Sequence, residues 1–132
     1  MFEISKTIEI SASHAHKGHP KCGRMHGHNY IITVTVKCRK LDQNGMVMDF
    51  GELKSIMNEI IGPFDHKFIG EPPVGWCGNN EHLISVPFMH VTAENLAEYW
   101  GSEIQKRLRN QILFSRIEVQ ETTNNRAIWF PD

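Results

Sequence analysis

The sequence contains no apolar run long enough to cross a bilayer, and its first residues lack the pattern of a signal peptide. Cysteine is scarce: the three residues, an odd number at scattered positions, do not make a disulfide framework. The net charge of −1 gives no general electrostatic attraction to nucleic acid or to an anionic membrane. These absences predict a cytoplasmic protein with neither a membrane partner nor a nucleic-acid partner.

The remaining composition is that of an ordinary globular protein with unusually many histidines. Hydrophobic residues make up 40% of the chain and charged residues 22%. A length of 132 residues predicts one domain covering residues 1–132. The chain has eight histidines, five of which crowd into the segment Ser13–His28, with His66, His82 and His90 later.

Two segments near the start of the chain alternate apolar and polar residues with the period of a half-buried strand. In the first segment the apolar positions are Phe2, Ile4, Ile8 and Ile10. His14 continues their phase, and His26 and His28 share the phase of the second segment, Gly27–Cys38. Three imidazoles on one face of a sheet predict a metal site whose fourth position is open. The alternative, hydrogen-bonded core histidines, is favoured for a single histidine but not for three.

Helical patterns follow the two predicted strands. Asp49 is the predicted N-cap of a surface helix that ends near Gly62, and a second helix is predicted from Thr92 to about Asn110. Between them lies the segment Gly62–Val91, which is rich in glycine and proline. A connection of that length is usually functional or disordered.

The end of the chain predicts a hairpin of Leu113–Thr122 and Ala127–Phe130, with its turn at Asn124-Asn125. Leu113, Ile117 and Val119 share the inward phase, and Glu121 falls in it too. A carboxylate on an apolar face requires a partner. The sequence leaves two positions equally open for Glu121: inward with such a partner, or turned to solvent at the end of the strand. The element order predicts an α+β domain with helices on one face of an antiparallel sheet.

The segment from Cys22 to Tyr30 closely resembles the Cys-x-x-x-His-Gly-His signature of the 6-pyruvoyltetrahydropterin synthase family. Its spacing is typical of the 6-carboxytetrahydropterin synthase branch. Further matches occur in the family's order at Ser11–His14, Gly45–Phe50 with Leu53-Lys54, Asp65-His66, Thr92–Ala97 and Glu121-Thr122. The combination is specific, although each piece alone is weak.

The resemblance implies the tunnelling fold, a four-stranded antiparallel sheet with two helices packed on one face. It also implies trimers or hexamers joined through sheet edges, with active sites at subunit interfaces. The implied activity is that of a zinc-dependent lyase. This lyase converts dihydroneopterin triphosphate to 6-carboxytetrahydropterin, acetaldehyde and triphosphate, a step toward queuosine and other 7-deazaguanines.

The resemblance also assigns roles around the metal. His14, His26 and His28 would hold the zinc ion, and Cys22 would be the general base. A nearby dication favours the thiolate form that such a base requires.

Asp65 and His66 would form a second proton-transfer unit, in which Asp65 orients His66. Adjacent side chains cannot pair on an ideal strand, so we expect the chain to bend there. In the family this pair approaches the cysteine from a neighbouring subunit. Glu121 would accept two hydrogen bonds from the pterin ring. Thr92 is a weaker candidate for a ring contact, because a role as helix N-cap is sufficient to explain it.

Basic and sulfur-containing residues complete the set of candidates. The cations that could bind the triphosphate are Lys21, Arg24, Lys67 and Arg126, although each is more often a solvated charge. His16 and His19 lie near His14 but match no ligand position of the family. Cys38 and Cys77 are expected to be ordinary thiols.

The chain departs from the family pattern in places that bear on its substrate. The segment Gly70–His90 is longer than expected and is a candidate lid or interface element. Thr123-Asn124-Asn125 is similar to the 6-pyruvoyl branch. Two alternatives therefore stay open: a 6-pyruvoyltetrahydropterin synthase, which eliminates triphosphate without losing carbon, and a non-catalytic pterin- or purine-binding module.

Overall fold

The computed structural model describes residues 1–16, 18–19 and 22–132. Its elements in chain order are β1 (Phe2–His14), β2 (His26–Cys38), α1 (Phe50–Ile61), β3 (Lys67–Ile69), β4 (Leu83–Ile84), α2 (Ala93–Gln105), β5 (Leu113–Gln120) and β6 (Arg126–Trp129). Short 3₁₀ turns lie at Gly62–Phe64 and Asn80–His82.

Strands β1 and β2 form a long antiparallel pair, in which Ile10 lies opposite Tyr30 and His14 opposite His26. Even-numbered side chains face the core, as the alternating pattern predicts. On the other face hydroxyls pair across the strands, with Ser5 Oγ 2.7 Å from Thr35 Oγ1. The register therefore brings the end of β1 and the start of β2 together with all three histidines on the inner face.

The sheet has six strands in the order β4-β3-β1-β2-β5-β6. β3 runs parallel to β1, and β4 runs parallel to β3. The prediction of a four-stranded, wholly antiparallel sheet is therefore wrong, although the four longer strands β1, β2, β5 and β6 pair with one another antiparallel. The additional strands have three and two residues, too few for a hydrophobic period to reveal them.

Side-chain caps set the start of both helices. The Asp49 carboxylate accepts a hydrogen bond from Gly51 N, and the Thr92 hydroxyl accepts one from Asn95 N. Helix α2 ends at Gln105, earlier than predicted, because the next turns are closed by tighter i→i−3 bonds from Arg107 N and Leu108 N.

Both helices pack on one face of the sheet over a single apolar cluster that includes Ile32, Leu53 and Trp100, all 0% exposed. A β-bulge opposite Thr35 and Val36 changes the phase of β5. Phe114 is consequently buried and Leu113 is 44% exposed, so the predicted inward position of Leu113 is wrong. No helix in the described part of the chain has both the length and the apolar character needed to cross a membrane.

Candidate metal centre and active site

Three imidazoles converge where β1 ends and β2 begins. His14, His26 and His28 each offer a ligand nitrogen, and these nitrogens all lie within 4.8 Å of one another. The His14 Nε2 and His28 Nε2 atoms are 3.0 Å apart. Among the residues that the structure describes, no fourth side chain joins this group, so three nitrogens face one point and leave one side open.

Backbone contacts determine which ring nitrogens face that point. His14 Nδ1 lies 2.6 Å from the carbonyl oxygen of Val91, and His26 Nδ1 lies 2.7 Å from that of Arg24. His28 is hydrogen-bonded to the backbone of Glu121. A carbonyl oxygen only accepts, so we assign the Nδ1 proton to His14 and to His26. Their Nε2 lone pairs are then available to a metal ion, the usual arrangement of ligand histidines.

The electrostatics of the cluster favour neutral rings. Burial lowers the pKa of His14 to about 4, with a further contribution from His26, against the raising effect of the Val91 carbonyl. Burial also lowers the pKa of His28, and the neighbouring His26 lowers it further. Neutral imidazoles are the form that binds metal. The donor set, its tautomers and its open side all fit a divalent ion such as zinc, so the cluster could hold a metal ion.

Tyr30 forms the floor beneath the imidazoles. Its ring centroid is 5.3 Å from that of His28, and the side chain is 0% exposed. Burial raises the pKa of its hydroxyl, and the Glu121 carboxylate adds to the shift. The floor of the site is therefore uncharged and closed to water.

Glu121 lies beside the cluster, directly after β5. Its Oε1 is 3.9 Å from His14 Nε2, and its side chain is 22% exposed. Burial raises the pKa of this carboxyl, and the nearby Glu94 carboxylate raises it further. The structure thus places Glu121 inward, beside the imidazoles, where a ligand with N–H groups would find an acceptor.

Cys22 lies on the loop between β1 and β2 and is partly exposed. Its backbone N–H donates to His19 Nδ1 over 2.8 Å, and its carbonyl accepts from His16 N. His16 stacks with His19 at a centroid distance of 5.9 Å and meets His90 edge-on at 5.4 Å. His16 and His19 thus contribute to the fold of the loop that carries Cys22.

Asp65 and His66 form a pair despite being adjacent in sequence. His66 has φ 61°, the left-handed conformation that side chains rarely adopt, and this is the bend the sequence requires. Asp65 Oδ1 is 2.9 Å from His66 Nδ1 and also accepts from Ser11 N over 2.9 Å. The Ser11 N–H lowers the pKa of Asp65, His66 lowers it further, and burial opposes both. Such strain is often found at functional sites.

The Asp65-His66 pair and the three imidazoles belong to different faces of the sheet. His14 is buried on the inner face, whereas His66 has a side chain that is 81% exposed. His66 lines a cavity of about 500 Å³ together with Ser11 and Ser13, whose odd-numbered side chains point away from the helices. His28 also lines this cavity, but His66 is not among the side chains that converge with the three imidazoles in the described part of the chain.

The remaining candidates differ in their surroundings. Lys67 Nζ donates to the Glu81 carbonyl over 2.6 Å and lines the same cavity as His66. Arg126 is paired with Glu118 over 2.9 Å, and Arg24 is exposed. Lys21 lies outside the described residues. Thr92 caps α2 through the hydroxyl that was a candidate ring contact.

Sequence reasoning missed two groups that shape the site. The first is the Val91 carbonyl, which orients His14 across 77 residues and carries no sequence signal. The second comprises Trp76 and His82, which line the cavity beside His66. The unusual length of Gly70–His90 was the available signal for these two residues.

The fold and the site together define an α+β domain that carries a three-histidine cluster able to hold a metal ion. The chain belongs to the 6-pyruvoyl tetrahydropterin synthase family, whose pattern matches residues 3–131. This match confirms the membership that the Cys22–Tyr30 signature predicts.

Relatives agree with this assignment. The 6-carboxy-5,6,7,8-tetrahydropterin synthase of Rickettsia bellii is 31% identical over 133 residues, 94% of this chain and 96% of that protein. A protein of Archaeoglobus fulgidus is 46% identical over 68 residues, 52% of this chain and 58% of that protein. These relatives confirm the prediction of an enzyme of the lyase class.

A solved structure shows the same fold. The 6-pyruvoyl tetrahydropterin synthase of Plasmodium vivax superposes with a TM-score of 0.77 over 100% of this chain and 99% of that one, at 16% identity. The two helices and the sheet therefore follow the architecture of this family.

Proposed function

We propose that this chain is a zinc-dependent 6-carboxytetrahydropterin synthase. It would convert dihydroneopterin triphosphate to 6-carboxytetrahydropterin and release acetaldehyde and triphosphate, as a step toward queuosine and related 7-deazaguanines in the cytoplasm. The observation that carries the proposal is the convergence of three imidazole nitrogens beside the half-buried Glu121. The name of the Rickettsia bellii relative supports the 6-carboxy product.

His14, His26 and His28 are the ligands in this proposal, and zinc suits three neutral nitrogens with one open position. Bound there, zinc would supply Lewis acidity toward the side-chain oxygens of the pterin. The carbonyls of Val91 and Arg24 hold two of the rings in the tautomer this requires.

Cys22 and the Asp65-His66 pair move protons in this mechanism. Cys22 acts as the base that takes a proton from the pterin side chain, on the loop that leads directly into the ligands His26 and His28. Asp65 accepts from His66 Nδ1, so His66 Nε2 is the nitrogen that remains to exchange a proton. Because Asp65 also accepts from Ser11 N, the orientation of the imidazole is fixed to β1.

Glu121 binds the pterin ring. A carboxylate accepts two parallel hydrogen bonds from the exocyclic amine and the adjacent ring N–H of a pterin, as it does from a guanidinium. This ligand also provides the partner that a half-buried carboxylate requires. Thr92 is a secondary ring contact in this proposal, next to the Val91 carbonyl that orients His14.

The site is completed by a second copy of the chain, in a trimer or hexamer joined through sheet edges. The exposure of His66 supports this arrangement, because in the described part of one chain His66 is not among the side chains that converge at the cluster. The short edge strands β4 and β6 would be covered in such an assembly.

The reaction is tested by incubating the purified oligomer with dihydroneopterin triphosphate, trapping released aldehyde and measuring product mass. We expect acetaldehyde together with 6-carboxytetrahydropterin. We expect Cys22→Ala to keep its zinc and its oligomeric state but to lose about 10²- to 10⁴-fold in turnover, the usual contribution of a general base. Cys77→Ala, a change at an exposed thiol, serves as the matched control.

Other results would contradict the proposal in defined ways. A diketo pterin without acetaldehyde would identify the 6-pyruvoyl reaction. Pterin binding without any product would identify a binding module. Full activity of Cys22→Ala would remove Cys22 from the mechanism.

A further inference from the structure

We infer that His19 is a positioning residue for Cys22, and that His16 and His90 support it against the start of α2. The inference rests on the proposed function, because Cys22 is the base of the proposed reaction. It goes beyond that function by giving a role to three imidazoles outside the metal cluster. We refer to His16, His19 and His90 as the imidazole brace.

The first contact of the brace is a hydrogen bond to the backbone of Cys22. The Cys22 N–H donates to His19 Nδ1 over 2.8 Å. A ring nitrogen that accepts carries no proton, so in the neutral ring we assign the proton of His19 to Nε2. This tautomer is the opposite of the one assigned to His14 and His26, whose Nδ1 atoms face carbonyl oxygens. The ring of His19 is therefore arranged to hold the loop, and it differs in this from the ligand histidines.

Backbone hydrogen bonds close the loop around this contact. His16 N donates to the Cys22 carbonyl over 2.6 Å, and Gly23 N donates to the His19 carbonyl over 2.8 Å. A Cβ on Gly23 would lie 2.5 Å from that same His19 oxygen, so this close approach requires glycine. Cys22 is thus held through both its N–H and its C=O. Its Cα–Cβ bond then has a set direction, and the side-chain rotamer alone decides where the sulfur lies.

The rings carry the brace from this loop to α2. His16 stacks on His19 at a centroid distance of 5.9 Å with the planes 17° apart, and His90 meets His16 edge-on at 5.4 Å. His90 is itself fixed, because its carbonyl oxygen accepts from Thr92 N over 3.0 Å and from the Asn95 side-chain amide over 2.8 Å. Thr92 is the N-cap of α2. The brace therefore ends at the start of a helix that is packed in the core.

Two consecutive residues before α2 thus serve the two halves of the site. The ring of His90 supports the Cys22 loop through His16, while the Val91 carbonyl lies 2.6 Å from His14 Nδ1. Because one stretch of backbone carries both, it sets the place of the base relative to a metal ligand. A displacement of about 1 Å between reacting groups can cost 10²-fold in rate. We therefore expect the brace to act on the chemical step and not on the binding of the pterin ring.

The test replaces His19 in the zinc-loaded oligomer and measures acetaldehyde release together with hydrogen exchange of the Cys22 amide, which needs no substrate. His19→Ala should lower kcat about 10- to 100-fold, keep KM within about threefold, keep its zinc and speed up the amide exchange. His19→Asn should restore both kcat and the exchange rate, because asparagine Oδ1 takes the place of Nδ1 and accepts the same hydrogen bond. His19→Gln, whose amide reaches past that place, should behave like His19→Ala.

Two further positions provide a second variant and a control. His90→Ala removes the ring that supports His16 and should lower kcat about threefold, whereas His90→Phe keeps an edge-on ring and should not. Asp42→Ala is the matched control, because Asp42 Oδ1 accepts from Asn44 N over 2.8 Å on an exposed turn that carries none of the proposed site residues. It should leave kcat and the exchange of the Cys22 amide unchanged.

The outcomes separate this inference from the proposed reaction. Unchanged amide exchange in His19→Ala, or a His19→Asn variant as slow in turnover as His19→Ala, overturns the positioning role even if acetaldehyde is released. A raised KM at constant kcat overturns it too, since the effect would then lie in substrate binding. Faster exchange in His19→Ala that His19→Asn reverses, in a chain that releases no acetaldehyde, supports the contact with Cys22 and contradicts the reaction.

Discussion

Glu118 and Glu121 lie three positions apart near the end of β5, and they face opposite sides of the sheet. Glu118 pairs with Arg126 over 2.9 Å on the outward side. The Glu121 carboxylate lies 3.9 Å from His14 Nε2. Burial is the main cause of its raised pKa. The chain therefore contains a natural pair for testing whether the inward carboxylate binds the pterin ring.

We expect Glu121→Gln to lower kcat/KM for dihydroneopterin triphosphate about 10²-fold. The amide keeps the shape but loses the charge and one of the two acceptors, and hydrogen bonds to charged groups contribute about 1.5–3 kcal/mol each. Steady-state kinetics with zinc content measured in parallel checks this. Glu118→Gln should leave both kcat/KM and the zinc content unchanged. Loss of zinc from Glu121→Gln would show that Glu121 supports the metal cluster instead of the ring.

Individual residues also show how much of the site the sequence predicts. The phase of two alternating strands placed His14, His26 and His28 on one face, because side-chain parity is a local property. The phase of Leu113–Thr122 left Glu121 open between an inward and a solvent-facing position, and the structure places its carboxylate 3.9 Å from His14 Nε2. The Val91 carbonyl could not be predicted, since its contact with His14 depends on how α2 docks, 77 residues away.

At the scale of elements, α2 packs against the terminal hairpin through a glycine. A Cβ at Gly101 would lie 2.6 Å from Trp129 Cε3 and 3.0 Å from Ile117 Cγ2. The indole of Trp129 and the helix backbone thus approach more closely than any side chain permits.

We therefore expect Gly101→Ala to lower the free energy of unfolding by about 1–3 kcal/mol, the usual cost of overpacking. The gain in helix propensity of about 1 kcal/mol offsets only part of the clash. Denaturant unfolding of the zinc-loaded protein measures the change. Glu98→Ala, at an exposed position of α2, should stay within about 0.5 kcal/mol. An unchanged or raised stability of Gly101→Ala would show that Trp129 moves aside at no cost.

The features of the sheet that the sequence did not predict have two different physical causes. β3 and β4 are too short for a period and exist because they extend the edge of β1. Leu113 is exposed because the bulge opposite Thr35 and Val36 shifts the pairing, and an inserted residue is invisible to a strict alternation. The four long strands and both helices were predictable, because each is long enough to show its own period.

At the scale of the whole molecule, the proposed catalytic groups lie on two faces of one sheet. Cys22 belongs to the loop that leads into the proposed metal ligands. The Asp65-His66 pair is fixed to β1 by hydrogen bonds with the backbone of Ser11. A second copy, joined through sheet edges, that brings its Asp65-His66 pair to the Cys22 loop of the first would complete the site. The catalytic unit is then a pair of chains, and a change in either chain disables it.

Complementation between two inactive variants tests this arrangement. Cys22→Ala and His66→Ala homo-oligomers should each be nearly inactive, because each lacks one proton-transfer group at every site. When the two are dissociated, mixed in equal amounts and reassembled, random pairing gives about one quarter of the sites a cysteine from one chain and a histidine from the other. Turnover should recover toward that fraction of the unmodified value. A mixture of Cys22→Ala with a Cys22→Ala, His66→Ala double variant has no complete site and is the control. A reassembled mixture no more active than its components would place Cys22 and His66 of the same chain in one site.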